Sequence, residues 1–167
     1  NINRFLNKEI YGKGINIPVV YAWNEPLDIG CHAAVIQYKY KGCYECFLDR
    51  TSTTDELFDA TAYCEREQKI IKKIAGCSSS FIPYGSTVSL KSALLCMDLI
   101  NKLLDNRCYC NVLVSLKGDG YYFKKLGFNV TETYKRQTEN LDISDIGEKF
   151  SKRCEICKQI CNYKKQR

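Results

Sequence analysis

Residues 90–116, LKSALLCMDLINKLLDNRCYCNVLVSL, decide the fold class. Leu90, Leu94, Met97 and Leu104 recur at helical spacing, and Leu95, Leu99 and Leu103 widen the apolar face. That pattern predicts a well-buried helix over about 90–105. After a polar break, Cys110-Asn111-Val112-Leu113-Val114-Ser115-Leu116 predicts a buried strand. A helix that feeds a buried strand points to an α/β layer arrangement.

Working outward, Gly118-Asp119-Gly120 breaks the strand, and Tyr121 to Leu126 predicts a short helix ended by Gly127 at C′. Phe128 to Tyr134 alternates as a strand does. A last helix begins near Ser144 or Asp145 and puts Ile146, Phe150, Cys154, Cys157 and Cys161 on one stripe. Upstream, Thr53-Thr54-Asp55-Glu56 has the form of a capping box, predicting a helix from about 54 to 75 that stops at Gly76. Ser78 to Tyr84 predicts a short strand. The runs 31–40 and 43–49, divided by Lys41-Gly42, read as a hairpin. Pro18 and Pro26 bracket Ile17 to Trp23, an edge-strand pattern. The expected architecture is one α/β domain over 1–167, with a mixed central sheet flanked by helices. Residues 1–30 form an irregular arm and 142–167 an amphipathic C-terminal helix with a basic tail.

A chain of 167 residues is long enough for one real core. Apolar residues at 45% and charged residues at 26% argue against wholesale disorder. No apolar run is long enough to predict a transmembrane helix. The net charge of +6 is spread over Lys39/Lys41, Lys72/Lys73, Lys124/Lys125 and the tail Lys164, Lys165, Arg167. Without a basic run, a solvated surface is expected and a nucleic-acid partner is not. The 11 cysteines are an odd number, so they do not all pair internally. With no apolar signal core near Asn1, the expected setting is an intracellular, reducing, cytoplasmic one with free thiols. A secreted disulfide-bonded form is the alternative.

Cys43-x2-Cys46 and Cys154-x2-Cys157-x3-Cys161 have zinc-like local spacing. On a strand, however, Cys43 and Cys46 point to opposite faces, and the last three cysteines fit the apolar stripe of the final helix. Core filling is therefore the expectation, with no metal. A four-cysteine zinc site joining both pairs is the alternative.

Gly85-Ser86-Thr87-Val88-Ser89 is a polar loop feeding a helix start, an arrangement that favours phosphate. It is one glycine short of a nucleotide-binding Walker A loop, and no Walker B pattern follows. Asp119 to Phe128, with the order helix, strand, short helix, strand, resembles the GNAT superfamily of N-acetyltransferases. The carriers are Tyr122-Phe123 and Lys125-Leu126-Gly127-Phe128, with Lys91-Ser92-Ala93-Leu94-Leu95 where that family's pyrophosphate loop enters its helix. The likeness covers about 85–134. It implies acetyl-CoA, or another acyl-CoA, as co-substrate and direct attack on the thioester by an amine of a protein or small molecule. Gly85, Ser86, Thr87, Val88, Ser89, Lys91 and Ser92 would surround the pyrophosphate, and Tyr122 would protonate the departing thiolate. Glu45 and Asp49 are general-base candidates by residue type. Ser86-Thr87-Val88-Ser89-Leu90-Lys91 lacks both glycines of the family's loop, so a non-catalytic interaction module with a degenerate acyltransferase fold is a further alternative.

The first half has a rival likeness. His32 opening a strand, Asp49 ending its partner and a helix beginning at Ser92 resemble the order in YopJ-type effector acetyltransferases and ubiquitin-like proteases. There, a histidine base and a carboxylate activate a thiol at a helix start; here the helix start carries Ser92. The acyl-CoA reading predicts a thermal shift with acetyl-CoA that shrinks in Ser89→Ala and Lys91→Ala. A protein whose melting no acyl-CoA moves would sink it.

Overall fold

A computed structural model describes residues 2–50, 57–68, 70, 72–73, 80–150 and 154–157. Its centre is a four-stranded sheet in the order β1 (Val19–Asn24), β2 (Gly30–Ile36), β7 (Val112–Lys117), β8 (Leu141–Asp145). Every pairing in it is antiparallel, so the strand at 112–117 has antiparallel neighbours on both sides. Two short antiparallel ladders pair β3 (Leu48–Arg50) with β4 (Leu57–Asp59) and β5 (Lys72–Lys73) with β6 (Ser80–Phe81). The helices are α1 (Ile2–Glu9), α2 (Ser86–Leu104), α3 (Tyr121–Lys125), α4 (Glu132–Arg136) and α5 (Ile146–Lys149). Helices on a central sheet give the α/β class expected.

Strand β2 is the spine, and all seven of its residues are buried. Ala33 and Val35 face α2 and join Leu99, Cys108 and Val114. Ala34 and Ile36 face the other way, into a core with Tyr11, Tyr21, Tyr44, Phe47 and Leu113. That is the alternation of a strand covered on both faces. A third core gathers Ile29, Tyr63, Ile70, Phe123, Val130 and Tyr134.

Helix α2 packs across β1 and β2. Its inward side is Val88, Ser92 and Leu99, with Leu95 and Leu103 partly buried. The expectation of a well-buried helix holds for that side only. Leu90, Leu94, Met97 and Leu104 are 67%, 66%, 54% and 75% exposed. The helix is apolar in two directions, and periodicity alone does not tell which direction meets the sheet.

Other expectations change for local reasons. The run 31–49 is not a two-strand hairpin. Strand β2 pairs with β1 and β7, and the chain turns at Gly42 (φ 85°) into a 3-10 turn at Tyr44–Phe47. Where described, 54–75 is not helical: β4, turns and β5 occupy it. Residues 51–56 and 74–79 lie outside the described set, including the capping box. Residues 128–134 do not form a strand either. Val130 keeps one bridge to Cys64, and Thr131 then caps α4, its side chain accepting the Tyr134 N–H at 3.2 Å. The short helix α3 ends as expected, with Gly127 at φ 80°. The final helix appears as α5, capped by Asp145, and as a helical turn at 155–157; Cys161 lies outside the described residues.

Asn111 holds the sheet to the loop before the 3-10 turn. It is fully buried. Its Oδ1 accepts the Gln37 N–H at 2.7 Å, while Nδ2 donates to the carbonyls of Gly42 at 2.6 Å and Gln37 at 3.0 Å. Removing this amide strands buried backbone groups, at about 1–3 kcal/mol for each one left unsatisfied. Asn111→Ala should therefore lower the urea midpoint by the equivalent of roughly 2–4 kcal/mol, with an unchanged slope. A loss under about 0.5 kcal/mol would show that the loop holds without it.

Candidate metal centre

Gly42 and the 3-10 turn fold Cys43 and Cys46 back on one another. A strand would have parted them; the turn puts both sulfurs on one side. Cys154 precedes the helical turn at 155–157 and Cys157 lies in it, near the end of the described chain. The four Sγ atoms lie within 4.8 Å of one another. Cys43 and Cys154 are 3.3 Å apart, Cys46 and Cys157 3.4 Å, and Cys46 and Cys154 3.8 Å. A tetrahedral zinc with arms of ~2.3 Å has sulfur–sulfur edges about 1.6 times longer, near ~3.8 Å. These three separations lie at or slightly inside the spacing of an all-sulfur tetrahedral site, and all six are within 4.8 Å. This corrects the expectation that no metal is involved. Core filling follows from a strand at 43–46, and the chain forms a turn there.

The surroundings suit thiolate ligands. The Cys157 N–H donates to Cys154 Sγ at 3.4 Å, and the Cys43 N–H to Cys46 Sγ at 3.4 Å. Asn7, fully buried on α1, donates from Nδ2 to Cys43 Sγ at 3.5 Å and accepts the Tyr44 N–H on Oδ1 at 3.0 Å. Such donors fix ligand orientation and soften the charge on sulfur. Sharing of protons among the sulfurs pulls Cys46 and Cys154 below the ordinary thiol range and pushes Cys43 and Cys157 above it. Burial, then the nearby sulfurs of Cys157 and Cys43, raises the Tyr11 hydroxyl. Glu45, between the two cysteines of the turn, takes a forked ion pair from Arg4, with Nε to Oε1 at 2.7 Å and Nη2 to Oε2 at 3.4 Å. Helix α1 is thus tied to the cysteine turn. The sequence signal for this centre was Gly42 directly before the first Cys-x2-Cys. Asn7 and Asn111 carried no signal of their own.

The remaining predicted site residues are dispersed. His32 is fully buried in β2, with Nδ1 2.9 Å from Ser115 Oγ and Nε2 3.2 Å from Glu25 Oε1. Trp23 stacks on its ring at 5.2 Å and Tyr63 packs at 4.7 Å. With both nitrogens engaged and no exposed surface, the imidazole has no free position for a substrate. Its acid partner is Glu25; Asp49 lies on β3, paired with Phe58. Tyr122 is 60% exposed on α3. No hydrogen bond or ion pair among the described residues joins Tyr122, Glu45 and His32.

Residues 86–89, expected as part of a polar loop ahead of a helix at about 90, form the first turn of α2. Val88 and Ser92 are buried in this helix, Ser92 Oγ donating to the Ser89 carbonyl at 2.9 Å. Ser89 Oγ donates to the Gly85 carbonyl and accepts from Asn24 Nδ2, both at 3.4 Å. Gly85 gives its N–H to Asp28 Oδ1, so a carboxylate of the chain itself sits at this helix start. The space beside Thr87, Val88 and Lys91 measures about 40 Å³, room for a few waters.

Comparisons with protein-family models, with curated proteins and with solved structures find no match to this chain. Among the described residues no helix is long and apolar enough to cross a membrane, and the nine cysteines described are all free of disulfides.

Asp59 lies beside the Glu25–His32 network and accepts on Oδ1 from the Thr61 N–H at 2.8 Å and hydroxyl at 2.6 Å. Burial raises its carboxyl above the usual range despite those donors. A raised acid loses stability as pH climbs from the ordinary carboxylate range to its folded value. Asp59→Asn keeps an acceptor oxygen and escapes that loss. Its stability relative to the parent should therefore improve as pH rises above the ordinary carboxylate range, about pH 4, read by urea unfolding. A constant difference would refute the shift.

Proposed function

We propose that this chain is a zinc-stapled α/β module, in which a zinc ion held by four cysteines locks the 43–46 turn to the segment 154–157. The observation that carries this reading is the convergence of two Cys-x2-Cys pairs within 4.8 Å. Four thiolates fill a tetrahedral ion completely and leave no open position, which is the mark of a structural rather than a catalytic zinc. Three of the four cysteines are buried, which keeps water from the ion. Sulfur-only ligands select zinc or iron over calcium and magnesium. The work of the site is mechanical: it joins α1, the cysteine turn and the C-terminal segment over one face of the sheet. N-acyl transfer stays a separate proposal, carried by the sequence motif Tyr122 to Phe128 alone.

Elemental analysis of the purified chain should give one zinc per molecule. Cys46→Ser or Cys154→Ser should lose it. Chelation should expose four further thiols to labelling and lower Tm by roughly 10 °C or more. A coloured protein with one iron would replace zinc by iron at the same four sulfurs. A chain that binds neither metal, with Tm indifferent to chelator, would remove the proposal.

A further inference from the structure

The four sulfurs match one to one across the two segments. Cys43 lies 3.3 Å from Cys154 and Cys46 lies 3.4 Å from Cys157, and both pairs span 111 positions. A disulfide holds its sulfurs at ~2.05 Å, so each pair has only about 1.3 Å left to close. Exposure is uneven across the cluster. Cys43, Cys46 and Cys157 are buried, and Cys154 is half-buried. A small oxidant arriving from water therefore meets Cys154 first, with Cys43 already beside it.

We infer, on the zinc reading above, that a peroxide makes this centre exchange its ion for two disulfides, Cys43 with Cys154 and Cys46 with Cys157. The Cys154 thiolate attacks one peroxide oxygen and the O–O bond breaks. Cys154 becomes a sulfenic acid and hydroxide leaves. The Cys43 thiolate then attacks the Cys154 sulfur, the S–O bond breaks, and a second hydroxide leaves. Two thiolates have lost two electrons, and the peroxide has become two hydroxides that take protons from solvent to give water. The ion keeps two ligands, too few to enclose it, and departs. Its departure opens Cys46 and Cys157 to a second peroxide and the same two steps.

Geometry and charge both favour this route. A sulfenic acid without a neighbouring thiol is open to further, irreversible oxidation, and Cys43 at 3.3 Å intercepts it. Chelation takes the ion alone and strands buried thiolates that must then gain protons. Oxidation removes ion and thiolate charge together and leaves neutral sulfur. Each disulfide also crosses from the 43–46 turn to 154–157, so the two segments stay joined without metal. The chain releases zinc on oxidation and keeps its fold.

The test takes the full metal-loaded chain, its metal content measured first, and adds hydrogen peroxide. Zinc should appear in solution, and dithiothreitol followed by zinc should restore binding. Trypsin cuts the chain into peptides that include 42–50 and 154–158, each carrying one Cys-x2-Cys pair. After oxidation these two should travel as one mass that reduction splits. A glutamate-specific protease cuts after Glu45 and Glu155, between the cysteines of each pair. It should leave 42–45 joined to 154–155, and 46–50 joined to 156–158. The oxidised, metal-free chain should melt within about 5 °C of the loaded one, because a disulfide that closes a long loop constrains the unfolded chain. The chelated, reduced chain should fall by roughly 10 °C or more. Zinc retained under peroxide that fully oxidises free glutathione overturns the inference alone. So does release with 42–50 and 154–158 each closed on itself, or joined in any other register. A chain without metal before peroxide is added overturns the zinc reading, and this inference with it.

Discussion

The cysteine centre depends on bringing four sulfurs together from sequence positions as far apart as 43 and 157. No local preference does this. Cys43 and Cys154 are separated by 111 positions, so everything between them must be folded correctly before they meet. Two devices prepare the near half. Asn111, buried at the start of β7, fixes the carbonyls of Gln37 and Gly42. Asn7 reaches from α1 to the Tyr44 N–H and the Cys43 sulfur. Each satisfies polar groups that burial would otherwise penalise. Four thiolates around a divalent ion leave a net charge of about −2, and N–H donors at the sulfurs are what a low-dielectric surrounding requires to tolerate it.

The contrast between α2 and the cysteine turn shows where reading a sequence succeeds. The helix, β7, the short α3 with its terminal glycine and the edge strand at 19–24 are legible, because each is written in contiguous periodicity or in a capping residue. The cysteine pairs are legible as spacing, but 43–49 carries strand-forming residues that argue against a shared site. Gly42 at φ 85° overrides that preference by turning the chain before Cys43. Thr131 does the same to 128–134, since one side-chain cap starts a helix where alternation implies a strand. Strand pairing is out of reach. Residue 35 lies against 112 and residue 114 against 143, and those partners follow from global packing. Of the candidate site, the ligands are present in the sequence but their support is not, because Asn7 and Asn111 look like any other asparagine until their partners arrive.

His32 makes a similar point about chemistry. A lone histidine near a carboxylate invites a catalytic reading. Here the ring lies between Trp23 and Tyr63, and both nitrogens are taken by Ser115 and Glu25. The arrangement ties β1, β2 and β7 together across the sheet, and its polar bonds specify register where one residue of slip would reverse the faces.

The separation of the two cysteine pairs also sets an order of events in time. At about 5–20 residues per second, a ribosome delivers Cys154 roughly 5–20 s after Cys43. Throughout that interval the nascent chain carries only half of a coordination sphere. Two thiols suffice to engage a soft metal weakly and fall short of enclosing it. The sheet, whose last strand ends at Asp145, can assemble before the second pair arrives. The ion would then act as a late latch on an already folded surface, and its capture would report that the chain had been read through to residue 157.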